Sequence, residues 1–316
     1  MRWIRFTSSG SAPRLGVLIG DDVHVSAESR SIVELLREHA LDDAGTQATA
    51  NPVDVIPIAA VDLLAPITHP PSIRDFMAFE QHVDGVSRLV NGTADVPDVW
   101  YSQPLFYFSN PTAVIGPHDD VAMPPGCSVF DFELEVAAVV GTGGGDLTLD
   151  EAEEAVAGYL IMNDWSARDL QFTEMRGPLG PCKGKDSAIT LGPWFVTSDE
   201  LAASRSRLSF DLGLSVWVND ELLGTDRLDN MGWSFPEMVA YASRGTRVEA
   251  GDVFGSGTCG DGCLAELWGR RGRDAHSSLR PGDVVRMAVD GLGEIRNRVV
   301  ASKPIRQPLA PRIRHS

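Results

Sequence analysis

The sequence predicts a mainly β protein with a few helices, in the α+β class. Hydrophobic residues make up 43% of the chain and charged residues 22%, which is ordinary for a globular protein. After residue 65, short apolar or alternating runs are separated by glycine and proline, the pattern of many short strands. At 316 residues the chain exceeds one average domain. We therefore expect a small N-terminal domain at 1–65 and a larger domain at 66–316, divided near the proline-rich PITHPPS.

The first 40 residues predict a small unit of strands followed by a helix. LGVLIG and VHVS flank the turn GDD and predict a hairpin. SIVELLREHA predicts a helix that begins after Ser31, because serine is a favoured N-cap residue. Residues 41–52 are polar and contain turn formers, which predicts a connector.

The larger domain is predicted to alternate strands with two helices and one cover segment. Strands are predicted at FELEVAAVVG, GYLIMND, GPWFVT, LSFDLGLSVWVND, DVFGSGT and DVVRMAV. One helix is predicted at DEAEEAVAG, opened by Asp150 or Thr148. The other is predicted at FPEMVAYAS, with Ser234 as N-cap and Pro236 in its first turn. Residues 84–100 have weak periodicity, and we expect them to form a mobile cover.

Charge and composition exclude several classes of function. A net charge of −17 and a pI near 4.7 oppose binding to nucleic acids and to anionic membranes, because phosphate contacts need clustered Lys and Arg. No apolar run approaches the roughly 20 residues that span a bilayer. The N-terminal residues lack the apolar region of a secretory signal, which predicts a cytoplasmic protein. The four cysteines have no metal-binding or disulfide spacing, so we expect reduced thiols.

The segment FDFELEV at 130–136 carries two carboxylates on one face of a predicted strand. Side chains alternate along a strand, so Glu133 and Glu135 project to the same side. Two buried carboxylates repel each other, and a divalent cation relieves that repulsion. Oxygen donors without His or Cys suit Mg²⁺, Mn²⁺ or Ca²⁺ rather than zinc. An edge strand with a solvated acidic face is the alternative.

Two further segments add candidate site residues. GYLIMNDWSARDLQ runs from an apolar strand into Asp164, followed by Arg168 and Gln171; Asp164 is either a site residue or the cap of the following turn. IRDFMAFEQHV brings Asp75, Glu80 and His82 within eight residues. A histidine beside a carboxylate is a candidate general base, although a structural or surface histidine is the alternative.

Taken together, these segments resemble the fumarylacetoacetate hydrolase family over residues 70–300. The shared motifs are DF-x5-H from Asp75, ELE, NDWSARDLQ, GPLGPCKGKD, GSGTCGDGC-x2-EL, LRPGDVV and GLG. The resemblance implies a mixed β-roll and a homodimer. It also implies Mg²⁺, with Ca²⁺ or Mn²⁺ as alternatives, bound by four carboxylates: Asp75, Glu133, Glu135 and Asp164.

The resemblance implies hydrolysis of a carbon–carbon bond in a 1,3-diketone acid, such as fumarylacetoacetate or an acylpyruvate, in aromatic catabolism. His82, oriented by Glu266 or Glu80, would take a proton from water. Lys185 would help to hold the oxyanion, unless it simply lies on the surface. Glu266 is alternatively an ordinary strand residue.

On the substrate side, the resemblance implies contacts from Arg168, Gln171, Thr258 and Tyr107. Arg168 alternatively pairs with Asp169 or another nearby carboxylate, and Thr258 alternatively satisfies a glycine-rich turn. Position 77 is Met77, where fumarylacetoacetases have a tyrosine that contacts the substrate. This departure favours a smaller keto acid, such as an acylpyruvate, over fumarylacetoacetate.

Two other functions are open. A family isomerase or decarboxylase acting on a 2-oxo-dienedioate would use the metal without an attacking water. His82 with two candidate carboxylates favours hydrolysis. A protein of another class, a catalytically silent dimerisation module stabilised by a metal, would place His82 far from the cation.

Overall fold

The computed structural model describes residues 1–8, 10–307, 309–310 and 312, and so the end of the second predicted domain, 313–316, lies outside the described residues. The strands are β1 (Arg2–Thr7), β2 (Arg14–Ile19), β3 (Asp22–Val25), β4 (Asp54–Pro57), β5 (Asp62–Leu64), β6 (Ile73–Phe76), β7 (Phe106–Ser109), β8 (Val114–Ile115), β9 (Val121–Ala122), β10 (Phe130–Asp131), β11 (Leu134–Val140), β12 (Val156–Asp164), β13 (Ser166–Ala167), β14 (Ile189–Thr197), β15 (Gly213–Val218), β16 (Glu221–Arg227), β17 (Val253–Gly255), β18 (Val284–Val289) and β19 (Gly293–Val300). The helices are α1 (Ile32–Arg37), α2 (Leu41–Ala50), α3 (Glu80–Asn91), α4 (Asp98–Ser102), α5 (Leu149–Ala155), α6 (Arg168–Glu174), α7 (Phe235–Ser243) and α8 (Leu264–Arg271). The chain is therefore mainly β with a few helices, as its sequence predicts.

A mixed twelve-stranded sheet forms the centre of the molecule, in the order β4-β3-β2-β1-β14-β12-β11-β17-β6-β7, with β5 beside β1 and β8 beside β14. Most pairs are antiparallel, whereas β17 runs parallel to β6 and β8 runs parallel to β14. A second sheet has the order β16-β15-β18-β19-β9, and β10 pairs with β13. The predicted strand runs all contribute to these sheets.

Strand β11 lies between two parts of the hydrophobic core. Every residue of β11 is buried. Val136 and Ala138 pack into the larger core cluster, whereas Ala137 and Val139 pack into the cluster that includes the N-terminal strands and helices. Because side chains alternate along the strand, Glu135 shares the face of Ala137 and Val139 at the strand's beginning. Both faces of this strand are covered, so the glutamate is surrounded by protein.

The N-terminal unit contains the predicted hairpin and helix. Strands β2 and β3 pair antiparallel, and Ser31 caps α1 through a reciprocal pair of hydrogen bonds with Glu34. Strand β1 pairs with β14, so the N-terminal strands extend the central sheet. The division at residue 65 therefore stays a prediction, since the sheet continues across it.

The connector predicted at 41–52 is wrong, because most of this segment is helix α2. Leu41, Gly45 and Ala48 recur at helical spacing and are buried. Gly45 lies against the side chains of Met1 and Trp3, where a Cβ atom would collide with the Met1 sulfur. The buried face of α2 consists mainly of small residues. The hydrophobic periodicity of the sequence is therefore weak, although the packing is close.

Residues 84–100 are also more regular than their sequence suggests, since they contain most of α3 and the beginning of α4. Helix α3 packs against α8 where Gly85 faces Gly269, and a Cβ atom on Gly269 would overlap the Gly85 carbonyl. The helix ends at Gly92, which has φ of 79°. The buried residues of α3 are His82, Val83, Gly85 and Ser87, and only Val83 is a large apolar residue, so this segment carries little hydrophobic periodicity. Mobility of this segment stays a prediction.

The other two predicted helices are present with the expected caps. Thr148, rather than Asp150, caps α5 through a capping box with Glu151. Ser234 caps α7, with Pro236 in the first turn.

Candidate metal centre and active site

Strand pairing brings the four predicted carboxylates to one place. Asp75 lies on β6, Glu135 on β11 and Asp164 at the end of β12. Glu133 immediately precedes β11, and its carbonyl accepts a hydrogen bond of 3.3 Å from the Asp164 amide. Strand β17 pairs with both β6 and β11, with Gly255 opposite Asp75. Segments that are far apart in sequence therefore meet at one end of the central strands.

The carboxylates are close together and buried. Asp75, Glu133 and Glu135 each offer one oxygen atom, and these atoms lie within 4.8 Å of one another. Asp164 joins them because its Oδ2 shares the Lys185 ammonium with Glu133 and shares the Tyr107 hydroxyl with Asp75. Below, these four residues are called the carboxylate cage. Their exposed fractions are between 0% and 5%, so their negative charges must be balanced within the protein.

Two basic side chains balance part of this charge. Lys185 Nζ contacts Glu133 Oε2 and lies 2.7 Å from Asp164 Oδ2. Arg168 donates to Glu133 Oε1 at 2.8 Å. Burial raises the pKa of the Glu133 carboxyl, but the charges of Lys185 and Arg168 outweigh it and lower that pKa to about 2. Glu133 therefore stays ionised.

The other side of the cage has an excess of negative charge. Burial, and then the negative charge of Asp164, raise the pKa of Asp75 well above its usual value. Burial, followed by the charge of Asp75, does the same for the pKa of Glu135. Neither carboxylate has a basic side chain as a hydrogen-bond partner among the described residues. A bound cation would supply the missing positive charge.

The cage fits a hard divalent cation. Three buried carboxylate oxygens have no hydrogen-bond partner in the described part of the chain: Asp75 Oδ1, Glu135 Oε1 and Asp164 Oδ1. Unpaired buried acceptors are costly, and a cation satisfies acceptors of this kind. Gly255 leaves the space open, since a Cβ atom there would lie 2.6 Å from Asp75 Oδ1 and 2.7 Å from Glu135 Oε2. The donors are all oxygen, which suits Mg²⁺, Mn²⁺ or Ca²⁺.

His82 pairs with Glu266, and it is close enough to the cage for its charge to act on the Glu133 carboxyl. It is 7% exposed, on the first turn of α3, and its Nδ1 is 3.4 Å from Glu266 Oε2 on α8. Glu266 is fully buried. Glu80, the competing partner predicted from the sequence, accepts a 2.6 Å hydrogen bond from Tyr101 at the surface instead. The structure thus brings Glu266, and not Glu80, to His82, and it places Glu266 on a helix rather than a strand.

Each of the three guanidinium nitrogens of Arg168 donates to a protein acceptor. Its Nε donates to Asp131 at 2.8 Å, one terminal nitrogen donates to Glu133 and the other donates to Gln171 Oε1 at 3.0 Å. The guanidinium therefore positions Glu133 and Gln171 directly. This agrees with the alternative that it pairs with a nearby carboxylate, but Asp169 instead accepts hydrogen bonds from Ser128.

The remaining predicted residues lie close to the cage. The Tyr107 hydroxyl contacts two cage carboxylates. Lys185 is 3% exposed, so it is not a surface lysine. Thr258 is buried and follows Gly257, whose amide donates to Glu135 Oε2 at 3.1 Å.

Sequence reasoning missed Asp131, which joins several parts of the site. It is fully buried and accepts hydrogen bonds from the amides of Leu264 and Ala265 at 2.9 and 3.0 Å, in addition to Arg168. Asp131 thus connects the first turn of α8, which carries Glu266, to the arginine that holds Glu133. Its position two residues before Glu133, in the same strand alternation, was the available signal.

The chain is similar to several known proteins. The family model described as Fumarylacetoacetate (FAA) hydrolase C-terminal matches residues 72–300, and one described as Rv2993c-like, N-terminal matches residues 1–66. The fumarylacetoacetase of Oryza sativa subsp. japonica is 28% identical over 294 residues, covering 76% of this chain and 68% of that protein. The mitochondrial oxaloacetate tautomerase fahd2 of Xenopus laevis is 28% identical over 310 residues, covering 95% and 90%.

Solved structures show the same fold. A crystal structure of a probable 2-hydroxyhepta-2,4-diene-1,7-dioate isomerase from Mycobacterium abscessus superposes with a TM-score of 0.70 at 26% identity, covering 96% of this chain and all of that one. The similar proteins thus include a hydrolase, a tautomerase and an isomerase by name. None of the helices in the described part of the chain has the length and apolar character of a membrane span.

Proposed function

Because this chain belongs to the fumarylacetoacetate hydrolase family, we propose that it is a divalent-cation-dependent hydrolase that cleaves a carbon–carbon bond of a 1,3-diketone acid. The observation that carries this proposal is the buried pair of His82 and Glu266 beside the carboxylate cage. A positioned base next to a cation site is what the attack of water on a carbonyl requires. Without such a base, keto–enol exchange or decarboxylation would be the simpler use of the cage.

The cage would hold Mg²⁺, with Ca²⁺ or Mn²⁺ as alternatives, through Asp75, Glu133, Glu135 and Asp164. The unpaired buried oxygens and the space beside Gly255 support this assignment. A cation held there would withdraw electron density from the oxygens of a chelating substrate, which carboxylates cannot do.

His82 and Glu266 would transfer the proton that is removed from water. Glu266 accepts the Nδ1 proton of His82, so Nε2 is free to take a proton from water. The water oxygen bonds to the substrate carbonyl carbon remote from the acid group. The bond from that carbon to the adjacent CH₂ then breaks, and its electron pair stays on the CH₂ carbon, which takes the proton back from His82. One water is consumed, and an acylpyruvate yields a carboxylic acid and pyruvate.

An anionic substrate suits this local site despite the acidic chain. The net charge of −17 repels anions in general, so a keto acid needs local positive charge. Lys185 already offsets part of the cage's negative charge, so a bound cation would supply the positive charge that faces the substrate. Tyr107 and Arg168 are already bonded to carboxylates, so their main contribution is to position the cage. Gln171 and Thr258 are therefore the better candidates for direct contact with the substrate. Met77 favours a small acylpyruvate.

The alternative within the family is an isomerase, tautomerase or decarboxylase of a 2-oxo acid. The tautomerase from Xenopus laevis matches 95% of this chain, which supports keeping this alternative. A silent dimerisation module is less well supported, because His82 lies beside the cage and Lys185 is buried against it.

One experiment separates these functions. Purified protein with Mg²⁺ is given an acylpyruvate, fumarylacetoacetate and oxaloacetate, and both pyruvate release and loss of enol absorbance are followed. Hydrolysis predicts pyruvate in amounts equal to the acylpyruvate consumed, with loss of activity in excess chelator. Loss of enol absorbance with the carbon skeleton intact would replace hydrolysis with tautomerisation, and carbon dioxide release would indicate decarboxylation. No change with any of these substrates would favour the silent module.

We also propose a homodimer and a cytoplasmic location. The dimer rests on the family resemblance, and the location rests on the four free cysteines, which suit a reducing compartment. Light scattering of the purified protein tests the first, and cell fractionation tests the second.

A further inference from the structure

A second cluster of metal-ligating side chains lies next to the carboxylate cage. His82, Cys263 and Glu266 are all buried, and each offers one ligand atom, the three atoms lying within 4.8 Å of one another. This cluster, called the thiol cluster below, combines one nitrogen, one sulfur and one oxygen donor. Its donor set is soft compared with the cage of four carboxylates and suits Zn²⁺ rather than Mg²⁺.

We propose that the thiol cluster is an inhibitory binding site for a thiophilic divalent cation of the Zn²⁺ class. Tetrahedral zinc with its usual bond lengths would separate the sulfur from the nitrogen by about 3.6 Å and the nitrogen from the oxygen by about 3.4 Å. In this structure Cys263 Sγ lies 3.8 Å from His82 Nδ1, which lies 3.4 Å from Glu266 Oε2. Two edges of the tetrahedron thus exist before any cation binds.

The surroundings keep these ligand atoms in place. Cys263 caps α8, and its sulfur accepts the Glu266 amide at 3.4 Å. Arg270 Nη2 lies 2.8 Å from Glu266 Oε1, so the carboxylate keeps its other oxygen, Oε2, turned towards His82. Three protein ligands, with water completing the tetrahedron, match the ligand number of catalytic zinc sites.

The charges balance when the cation binds. The Cys263 thiol loses its proton to solvent, and the resulting thiolate and the Glu266 carboxylate together neutralise a divalent cation. His82 stays neutral, but its proton must move from Nδ1 to Nε2, because Nδ1 becomes the ligand. The Nε2 lone pair that would accept a proton from water is then lost. Binding would therefore stop turnover without displacing Mg²⁺ from the cage; this consequence rests on the proposed function, whereas cation binding itself does not.

Cobalt reports the sulfur ligand directly. Co²⁺ is titrated into Mg²⁺-saturated wild-type protein under reducing conditions, and thiolate-to-cobalt charge transfer is followed in the near ultraviolet. We expect a band that saturates at one cation per chain and is removed by Zn²⁺. The carboxylate cage contains no sulfur, so Co²⁺ bound there gives no such band.

Cys263→Ser is the decisive variant, and Cys182→Ser is its matched control at an exposed thiol. Serine is a favoured N-cap, so α8 should keep its cap. Loss of a residue that only hydrogen-bonds to a metal ligand typically weakens metal binding by roughly 10- to 100-fold. Loss of the ligand Cys263 itself should weaken Zn²⁺ binding by more than this. The band should disappear in Cys263→Ser and stay in Cys182→Ser, and Zn²⁺ should raise the melting temperature of wild type but not of Cys263→Ser.

The activity assay completes the test. Zn²⁺ should inhibit wild type and Cys182→Ser at concentrations at least about 100-fold lower than those that inhibit Cys263→Ser, when inhibition is expressed relative to the activity of each protein without Zn²⁺. No charge-transfer band in wild type, or an equal band in Cys263→Ser, overturns the site. A Cys263-dependent band with Zn²⁺-insensitive turnover overturns its inhibitory role. If the band depends on Cys263 but no diketone acid is cleaved, the site stands and the proposed function fails.

Discussion

Glu135 is the cage residue with the least compensation for its charge. Glu133 and Asp164 both contact Lys185, whereas Glu135 accepts only the Gly257 amide among the described residues. Its Oε1 has no partner there. Burial and the nearby Asp75 raise its pKa, so its ionised form depends most on a bound cation.

Glu135→Gln should therefore weaken cation binding, because it removes one charge while it keeps the shape. We expect the dissociation constant for Mg²⁺, measured by calorimetry, to rise at least about 10- to 100-fold. The matched control is Glu153→Gln at the surface, where Glu153 pairs with an exposed Arg205, and it should leave the affinity unchanged. Equal affinities in the two variants would remove Glu135 from the ligand set.

His82→Ala tests the general base. Because four carboxylates already supply oxygen ligands, loss of the imidazole should leave Mg²⁺ binding intact. Removal of a general base typically costs about 10²- to 10⁴-fold in rate, and kcat should fall by that order. Glu266→Gln should also lower kcat, whereas Glu80→Gln should not, because Glu80 bonds to Tyr101 at the surface. Wild-type turnover in His82→Ala would move the base elsewhere and favour tautomerisation or decarboxylation.

At the scale of elements, Asp131 links α8 to the cage. It accepts two amides from the first turn of α8 and the Nε of Arg168, which in turn holds Glu133. The Asp131 carboxylate therefore orients two groups: the helix that carries Glu266, and the Arg168 guanidinium beside the cage. A helix terminus and a buried arginine share one counter-ion.

Asp131→Asn should destabilise the protein, because it leaves the buried Arg168 with one carboxylate instead of two. We expect the free energy of unfolding in denaturant to fall by about 3 kcal/mol. Asp169→Asn, at a partly exposed carboxylate that accepts a hydrogen bond from Ser128, should cost about 1 kcal/mol. Additive effects of Asp131→Asn and Arg168→Met would contradict a direct coupling of these two residues.

The cover predicted at 84–100 consists of two packed ends and an exposed connection between them. The α3 part packs on α8 through Gly85 and Gly269. At the other end, the Trp100 indole donates to the Met77 carbonyl at 2.6 Å. The exposed connection from Gly92 to Val99 lies between these anchors.

Residues 92–99 should exchange amide hydrogens faster than α3 and should slow when an unreactive acylpyruvate analogue binds. The reason is that the connection has few buried contacts and follows the helix that carries His82. Peptides from α7 serve as a control that ligand should not affect. Equal exchange of 92–99 with and without the analogue would contradict a closing cover.

At the scale of the whole molecule, local sequence signals predicted more of the fold than of the contacts among the site residues. Ser31, Thr148 and Ser234 marked three helices because capping is a local interaction. Helices α2 and α3 were not predicted, because few of their buried residues are large and apolar. The family motifs identified the four cage residues from the sequence. Which glutamate pairs with His82, Glu266 or Glu80, depends instead on how α8 packs against α3. Tertiary contacts of this kind leave no periodic trace in the sequence.

The cage also ties the central sheet together, and its cation should stabilise the whole fold. Its ligands come from β6, the start of β11 and the end of β12, so one cation would bridge neighbouring parts of the sheet. The unfolded chain does not hold these carboxylates together, and binding therefore favours the folded state. At about 100 times the dissociation constant, Mg²⁺ should add about 2.7 kcal/mol to the free energy of unfolding.

This stabilisation should appear as a melting temperature that is roughly 5 °C higher in saturating Mg²⁺ than in excess chelator. Glu135→Gln should show a much smaller difference, and it should melt at or above the wild-type temperature in chelator, because a neutral amide removes the repulsion with Asp75. Potassium chloride at matched ionic strength is the control for screening. Equal Mg²⁺ shifts in wild type and Glu135→Gln would place the stabilising cation outside the cage.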